Sequence, residues 1–176
     1  MGFLRYDSDF MMSISRAADY VILNLLGILF SIPVVTAGAA MTAKYYVAMK
    51  IVRGEEPSVL KDFWKSFRMN FKQSTLIWIG AVLLTAFLVY DGIVIMGMQS
   101  TGVNDGFKIA FGVLCAVLLM SLHAVFALLA RFHLTIGGAV HNAILFTLSH
   151  VPQMILLIFL EVLTYYVCWH YMEWFI

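Results

Sequence analysis

Residues 76–98 read LIWIGAVLLTAFLVYDGIVIMGM, an apolar run whose single charge is Asp91. At 1.5 Å per residue this run is long enough to cross the roughly 30 Å hydrocarbon core of a bilayer. Its apolar residues are continuous and do not alternate, so it keeps no polar face for water. Three further runs of this kind flank it, at about residues 20–43, 109–130 and 151–170. Nothing repeats with the weak ten-residue alternation of a membrane barrel, and only helices otherwise cross lipid without stranding backbone polar groups. The sequence therefore predicts an all-α, polytopic membrane protein. It forms a single membrane domain over 1–176, with about four transmembrane helices.

Composition agrees. Of 176 residues, 62% are hydrophobic and 12% charged, and the mean hydropathy is +0.92. A soluble domain carries about 25% charged residues, so a soluble enzyme, a secreted disulfide scaffold and a disordered tail are all excluded. The net charge of +1 offers no basic surface for nucleic acid. Cys115 and Cys168 sit in separate apolar runs and read as packing residues. The N-terminal stretch mixes Arg5 and Arg16 with Asp7, Asp9 and Asp19, unlike the basic start of a cleavable signal peptide.

Basic residues set the expected orientation. Lys44, Lys50, Arg53, Lys61, Lys65, Arg68 and Lys72 all fall between the first two runs, whereas residues 99–106 contain neither Lys nor Arg. The basic loop 44–72 is therefore expected in the cytoplasm of a bacterial cell, on the cytoplasmic membrane, with 99–106 outside. Arg131 puts the third connection back on the inner side. The first run is complicated by Pro33 and Gly38. Proline removes an intrahelical hydrogen bond, and Gly38 with Ala39, Ala40 and Ala43 allows close backbone approach. The favoured reading is a kinked span that continues as a cytoplasmic helix; the alternative is a pair of half-helices that dip in and return. Residues 57–73 form a basic amphipathic pattern, with Leu60, Phe63, Trp64, Phe67 and Phe71 on one side and Lys61, Lys65, Arg68 and Lys72 on the others. This predicts an interfacial helix, which either docks a partner or packs on its own bundle. A second, less charged in-plane segment is expected over 131–149.

Charged or polar groups at membrane depth are the candidate site. His123 falls mid-way in the third run, Glu161 mid-way in the fourth, Asp91 towards the outer end of the second, and Asn24 interrupts the first. A charge at a span centre costs about 2.5–3.5 kcal/mol on insertion scales. Runs three and four are consecutive, so His123 and Glu161 are expected to meet, either as a proton relay or polar ligand site or as interhelical glue. His133, His141 and His150 lack metal-ligand spacing, and no nucleophile–base pair, P-loop or dinucleotide fingerprint is present. No cofactor, metal or catalytic residue is expected. The aromatic tail over 165–175 suits a membrane-interface belt.

Asp9-Phe10, Asp19-Tyr20, Asn24-Leu25-Leu26, Ile32-Pro33-Val34-Val35-Thr36-Ala37-Gly38, Thr42-Ala43 and Phe67 with Asn70-Phe71-Lys72-Gln73 resemble the YesL-like family of small bacterial integral membrane proteins, a domain of unknown function. The likeness covers roughly the first 75 residues. It implies an accessory role in carbohydrate uptake beside ABC-type transporters and carries no catalytic residue. Pro33, Thr36 and Gly38 are its transferable motif, read as a hinge. The expectation is a non-enzymatic membrane protein in the lipid bilayer that binds a partner such as an ABC permease subunit. Its docking surface is read as Phe63, Trp64, Phe67, Phe71, Lys65 and Arg68. The alternative is a small secondary transporter or channel-forming homo-oligomer, with His123, Glu161, Asp91 and Asn24 along the path.

Overall fold

The computed structural model describes residues 9–97 and 105–172. All regular elements among the described residues are helices: α1 (Asp9–Ser31), a short 3-10 turn (Val34–Thr36), α2 (Ala37–Val52), α3 (Val59–Gly97), α4 (Asp105–Arg131), α5 (Ile136–Ser149) and α6 (Val151–Met172). Four of them, α1, α3, α4 and α6, are long and apolar enough to cross a membrane. Many of their large apolar side chains point outward, including Leu25 and Ile28, Leu83, Phe87 and Ile93, and Phe159 and Val162. Such a surface is untenable in water and ordinary against lipid. The architecture fits a multi-pass membrane protein.

Pro33 ends α1, its backbone extended at φ −74° and ψ 107°. The Thr36 hydroxyl then donates to the carbonyls of Phe30 (2.6 Å) and Pro33 (2.8 Å). It thereby satisfies one of the carbonyls that a helix C-terminus leaves unpaired. After this turn α2 folds back along α1. Gly27 lies against Lys44, and at the far end Arg16 and Asp19 share a depression with Ile51, Gly54 and Glu55. The favoured single kinked span is thus corrected: α1 and α2 are an antiparallel hairpin, and the start of α1 lies at the same end as the α2–α3 connection. Small residues make the return possible, since Ala39, Ala40, Ala43 and Thr42 are completely buried.

Gly54, at φ +73°, closes α2; the amides of Gly54 and Glu55 reach back to the carbonyls of Ile51 and Lys50. A left-handed glycine after the last turn is a common helix stop. α3 then runs antiparallel to α2. Lys50 pairs with Asp62 at 3.2 Å, Thr42 and Ser74 share a buried 2.9 Å hydrogen bond, and Gly38 touches Trp78. Burial disfavours the charged form of Lys50, but the hydrogen bond and charge of Asp62 outweigh it and raise the ammonium's pKa.

α3 has 39 residues, about 58 Å of unbroken helix. The expected interfacial helix 57–73 and second span 76–98 are therefore one rod, with no turn between them. The hairpin lies along its charged N-terminal half and reaches only to Trp78, whose indole N–H donates to the Val34 carbonyl at 2.7 Å. The apolar C-terminal half pairs instead with α4: Gly92 lies by Phe111, and Trp78 meets Phe126.

Two cores result. One joins Leu23 of α1, the small face of α2, and Val59, Phe63 and Phe67 of α3. The other joins Ile77, the end of α4 (Val125, Phe126, Leu129), Ala139 and Ala143 of α5, and Met154 of α6. Within the segment 131–149 the structure has a helix, α5, started by Thr135, whose hydroxyl accepts from the Gly138 amide. In the aromatic tail Tyr166, Trp169 and Tyr171 are exposed; the side chains of Tyr165, Trp174 and Phe175 lie outside the described residues.

Candidate functional site: a polar cleft between the hairpin and α6

An open cleft of about 1200 Å³ separates the α1–α2 hairpin from α6. Its walls are largely apolar, with Ile28 and Ile32 on one side and Leu156 and Leu160 on the other. Into these walls are set Asn24 and Ser31 of α1, Lys44 of α2, and Gln153, Glu161 and Thr164 of α6. Asn24 and Ser31 are seven positions apart, two turns of helix, so one face of α1 presents both.

Glu161 also faces α4, where its Oε1 lies 3.6 Å from His123 Nδ1, both side chains partly exposed. This is ion-pair distance but longer than a hydrogen bond. The expected meeting of these two residues is therefore present, and Asn24 shares the cleft with Glu161. Asp91 does not join this group. It neighbours Gly92, which packs on Phe111 near the start of α4.

Lys44 was hidden among the basic residues that set orientation. The available signal was its setting, an ammonium between Ala43 and Tyr45 in a helix otherwise rich in small residues. Gln153 and Thr164 gave no sequence signal, because their depth on α6 means nothing until the hairpin stands opposite.

The Pro33, Thr36 and Gly38 motif is a clamp where a hinge was expected. Pro33 stops α1, Thr36 ties the turn to Phe30, and a Cβ on Gly38 would stand 2.6 Å from both the Ser74 carbonyl oxygen and the Trp78 Cβ. Only a residue without a side chain lets α2 approach α3 this closely. The docking surface is corrected in the same way. Phe63 and Phe67 are 1% and 7% exposed and cluster with Phe30 at centroid distances of 5.4 and 5.1 Å, and Phe71 meets Phe67 at a tilt. Trp64 also meets Phe30 and stacks on Phe67, each at 5.7 Å, yet its other face stays exposed beside the outward Lys65 and Arg68.

Among the described residues, no group of three or more His, Cys, Asp or Glu side chains gathers in a way that could hold a metal ion. No curated protein and no solved structure matches the chain. Residues 20–92, from the middle of α1 through the hairpin and most of α3, match a family described as "Protein of unknown function, DUF624", so the likeness falls on the elements that the clamp holds together.

Proposed function

We propose that this is a non-enzymatic multi-pass protein of the bacterial cytoplasmic membrane whose α1–α2–α6 cleft holds a small polyhydroxylated solute. In this reading it serves carbohydrate uptake as a YesL-like component. The carrying observation is the gathering of Asn24, Lys44, Gln153 and Glu161 on one open cleft with apolar walls. A sugar needs donors and acceptors in alternation around a ring. The two carboxamides supply both, the ammonium only donates, and the carboxylate only accepts. Apolar walls with a few convergent polar groups are also the usual make-up of a small-molecule site. The basic loop 44–72 faces the cytoplasm in this arrangement.

The test is uptake of labelled mono- and oligosaccharides into liposomes that contain the purified protein, together with equilibrium binding of the same sugars in detergent. Wild type is expected to bind at least one sugar, and Glu161→Gln to weaken that binding at least ten-fold. Absence of binding across the panel, or binding indifferent to Glu161→Gln, overturns the proposal. Binding without flux assigns the protein an accessory role; binding with flux makes it a carrier.

A second reading, docking onto an ABC permease subunit or a second copy of the chain, draws on the outward Trp64, which is 47% exposed, beside Lys65 and Arg68. Co-purification in mild detergent that survives Phe63→Leu but is lost with Trp64→Ala supports it.

A further inference from the structure

A second, smaller depression of about 260 Å³ lies where α2, the charged half of α3 and the end of α4 meet. We propose that Tyr46, Lys65, Ser66, Arg131 and His133 around it form a binding site for a phosphate group, and that the site is independent of the cleft.

Charge comes first. Lys65 and Arg131 are brought together from distant parts of the chain, with His133 beside them, and no carboxylate lines the depression. Asp62, one turn before Ser66, is taken by Lys50 at 3.2 Å. Among the described residues neither Lys65 nor Arg131 has an ion-pair partner. Two cations facing one hollow without a counter-charge repel each other, and an anion between them reverses the sign. Arg131 supplies a planar fork suited to phosphate oxygens, and Lys65 a mobile point charge.

Polar shape comes second. Ser66 is 3% exposed and sits on the floor with Asn70, whose amide donates to the Ser66 carbonyl at 3.2 Å. That bond fixes Asn70 and leaves the Ser66 hydroxyl proton able to point into the hollow. Tyr46 adds a phenol from α2.

Position comes third. Arg131 is the last residue of the apolar stretch of α4, and Lys65 lies in the charged part of α3, so the depression sits where hydrocarbon gives way to water. Met69 and Phe132, 59% and 48% exposed, form an apolar lip. Basic pockets between helices at this depth suit anionic lipid headgroups. A free phosphate ester offers the same anion without needing the lip.

The experiment uses the full-length protein in nanodiscs of mixed phosphatidylglycerol and phosphatidylcholine, with native mass spectrometry counting retained lipids. A parallel arm titrates inorganic phosphate against the detergent-solubilised protein. One phosphatidylglycerol retained per chain, in preference to phosphatidylcholine, is expected, and a lipid source is assigned if inorganic phosphate does not compete. Competition by inorganic phosphate assigns a soluble source and equally supports the site. Lys65→Gln and Arg131→Gln, singly, should each reduce retention at least ten-fold, while Lys61→Gln and Lys72→Gln, which remove the same charge away from the depression, should not. Equal loss in all four variants would mean a diffuse basic field and overturn the proposal, as would retention unchanged in the first two. Should Arg131→Gln fail to fold, the exposed Lys65→Gln decides alone.

Discussion

Replacing Gly38 with alanine puts a methyl group 2.6 Å from the Ser74 carbonyl oxygen and 2.6 Å from the Trp78 Cβ. Neither atom can swing away, since one is backbone and the other is bonded to it. Ordinary contact begins at 3.4 Å, so α2 and α3 must part locally by about 0.8 Å. Overpacking of this kind costs about 1–3 kcal/mol. Separation also stretches the buried Thr42–Ser74 hydrogen bond, now 2.9 Å, a net contribution of about 1 kcal/mol. Against this, alanine is the better helix former by up to about 1 kcal/mol, and by less in a first turn. The net expectation for Gly38→Ala is a loss of about 2 kcal/mol. Gly80, in the interior of α3, isolates the propensity term, because a Cβ there meets nothing within 4 Å. Gly80→Ala should therefore gain up to about 1 kcal/mol. Thermal unfolding in detergent, followed by helical circular dichroism and tryptophan fluorescence, measures both variants. A Gly38→Ala protein as stable as wild type, alongside a stabilised Gly80→Ala protein, would refute the close α2–α3 contact and the clamp reading of the motif.

The hairpin makes a topological prediction. In a background with Cys115 and Cys168 replaced by serine, single cysteines at Met12 and Glu56 should share one side of the membrane, both protected from an impermeant maleimide until cells are opened. Labelling of the Met12 position alone in intact cells would restore the single kinked span. Phe63→Ala should destabilise by about 3–5 kcal/mol, because Phe63 is 1% exposed, whereas Trp64→Ala should cost less than about 1.5 kcal/mol; equal costs would refute the assignment of the two faces. The Lys50–Asp62 pair, 21% and 18% exposed, should contribute about 1 kcal/mol. The folded-state pKa of Lys50 is raised, so this stability is fully present below the unfolded lysine value near 10.4 and is lost as pH rises through the folded value. Wild type should lose stability over that alkaline range relative to Lys50→Met, and parallel pH profiles would exclude the linkage.

The number of helices able to cross a membrane, and the third and fourth runs, were legible in sequence because lipid imposes an unbroken apolar stretch on any span, and nothing in 109–130 or 151–170 competes with that pattern. The first 75 residues were harder. Pro33 announces a break, but whether the chain continues or reverses depends on what meets Gly38, and Ser74 and Trp78 are far away in sequence. The amphipathic pattern of 57–73 was read correctly as a helix with an aromatic side. Its burial against Phe30 was invisible, since periodicity names a face and never says what covers it. The absence of a breaker between Gln73 and Leu76 was the available sign that α3 would not bend. His123 and Glu161 were legible because charge at depth is conspicuous, and Lys44 was not because it stood among six other basic residues that served the orientation argument.

The clamp also sets an order of events during synthesis. α1 and α2 leave the ribosome before α3 exists, and although Leu23 of α1 covers part of the small-residue face of α2, the rest of its cover comes from Phe63, Phe67, Ser74 and Trp78 of α3. Until translation has passed residue 78, that part of the face lacks its native cover. Full burial of α2 therefore waits on the first half of α3 as well as on the hairpin's own sequence.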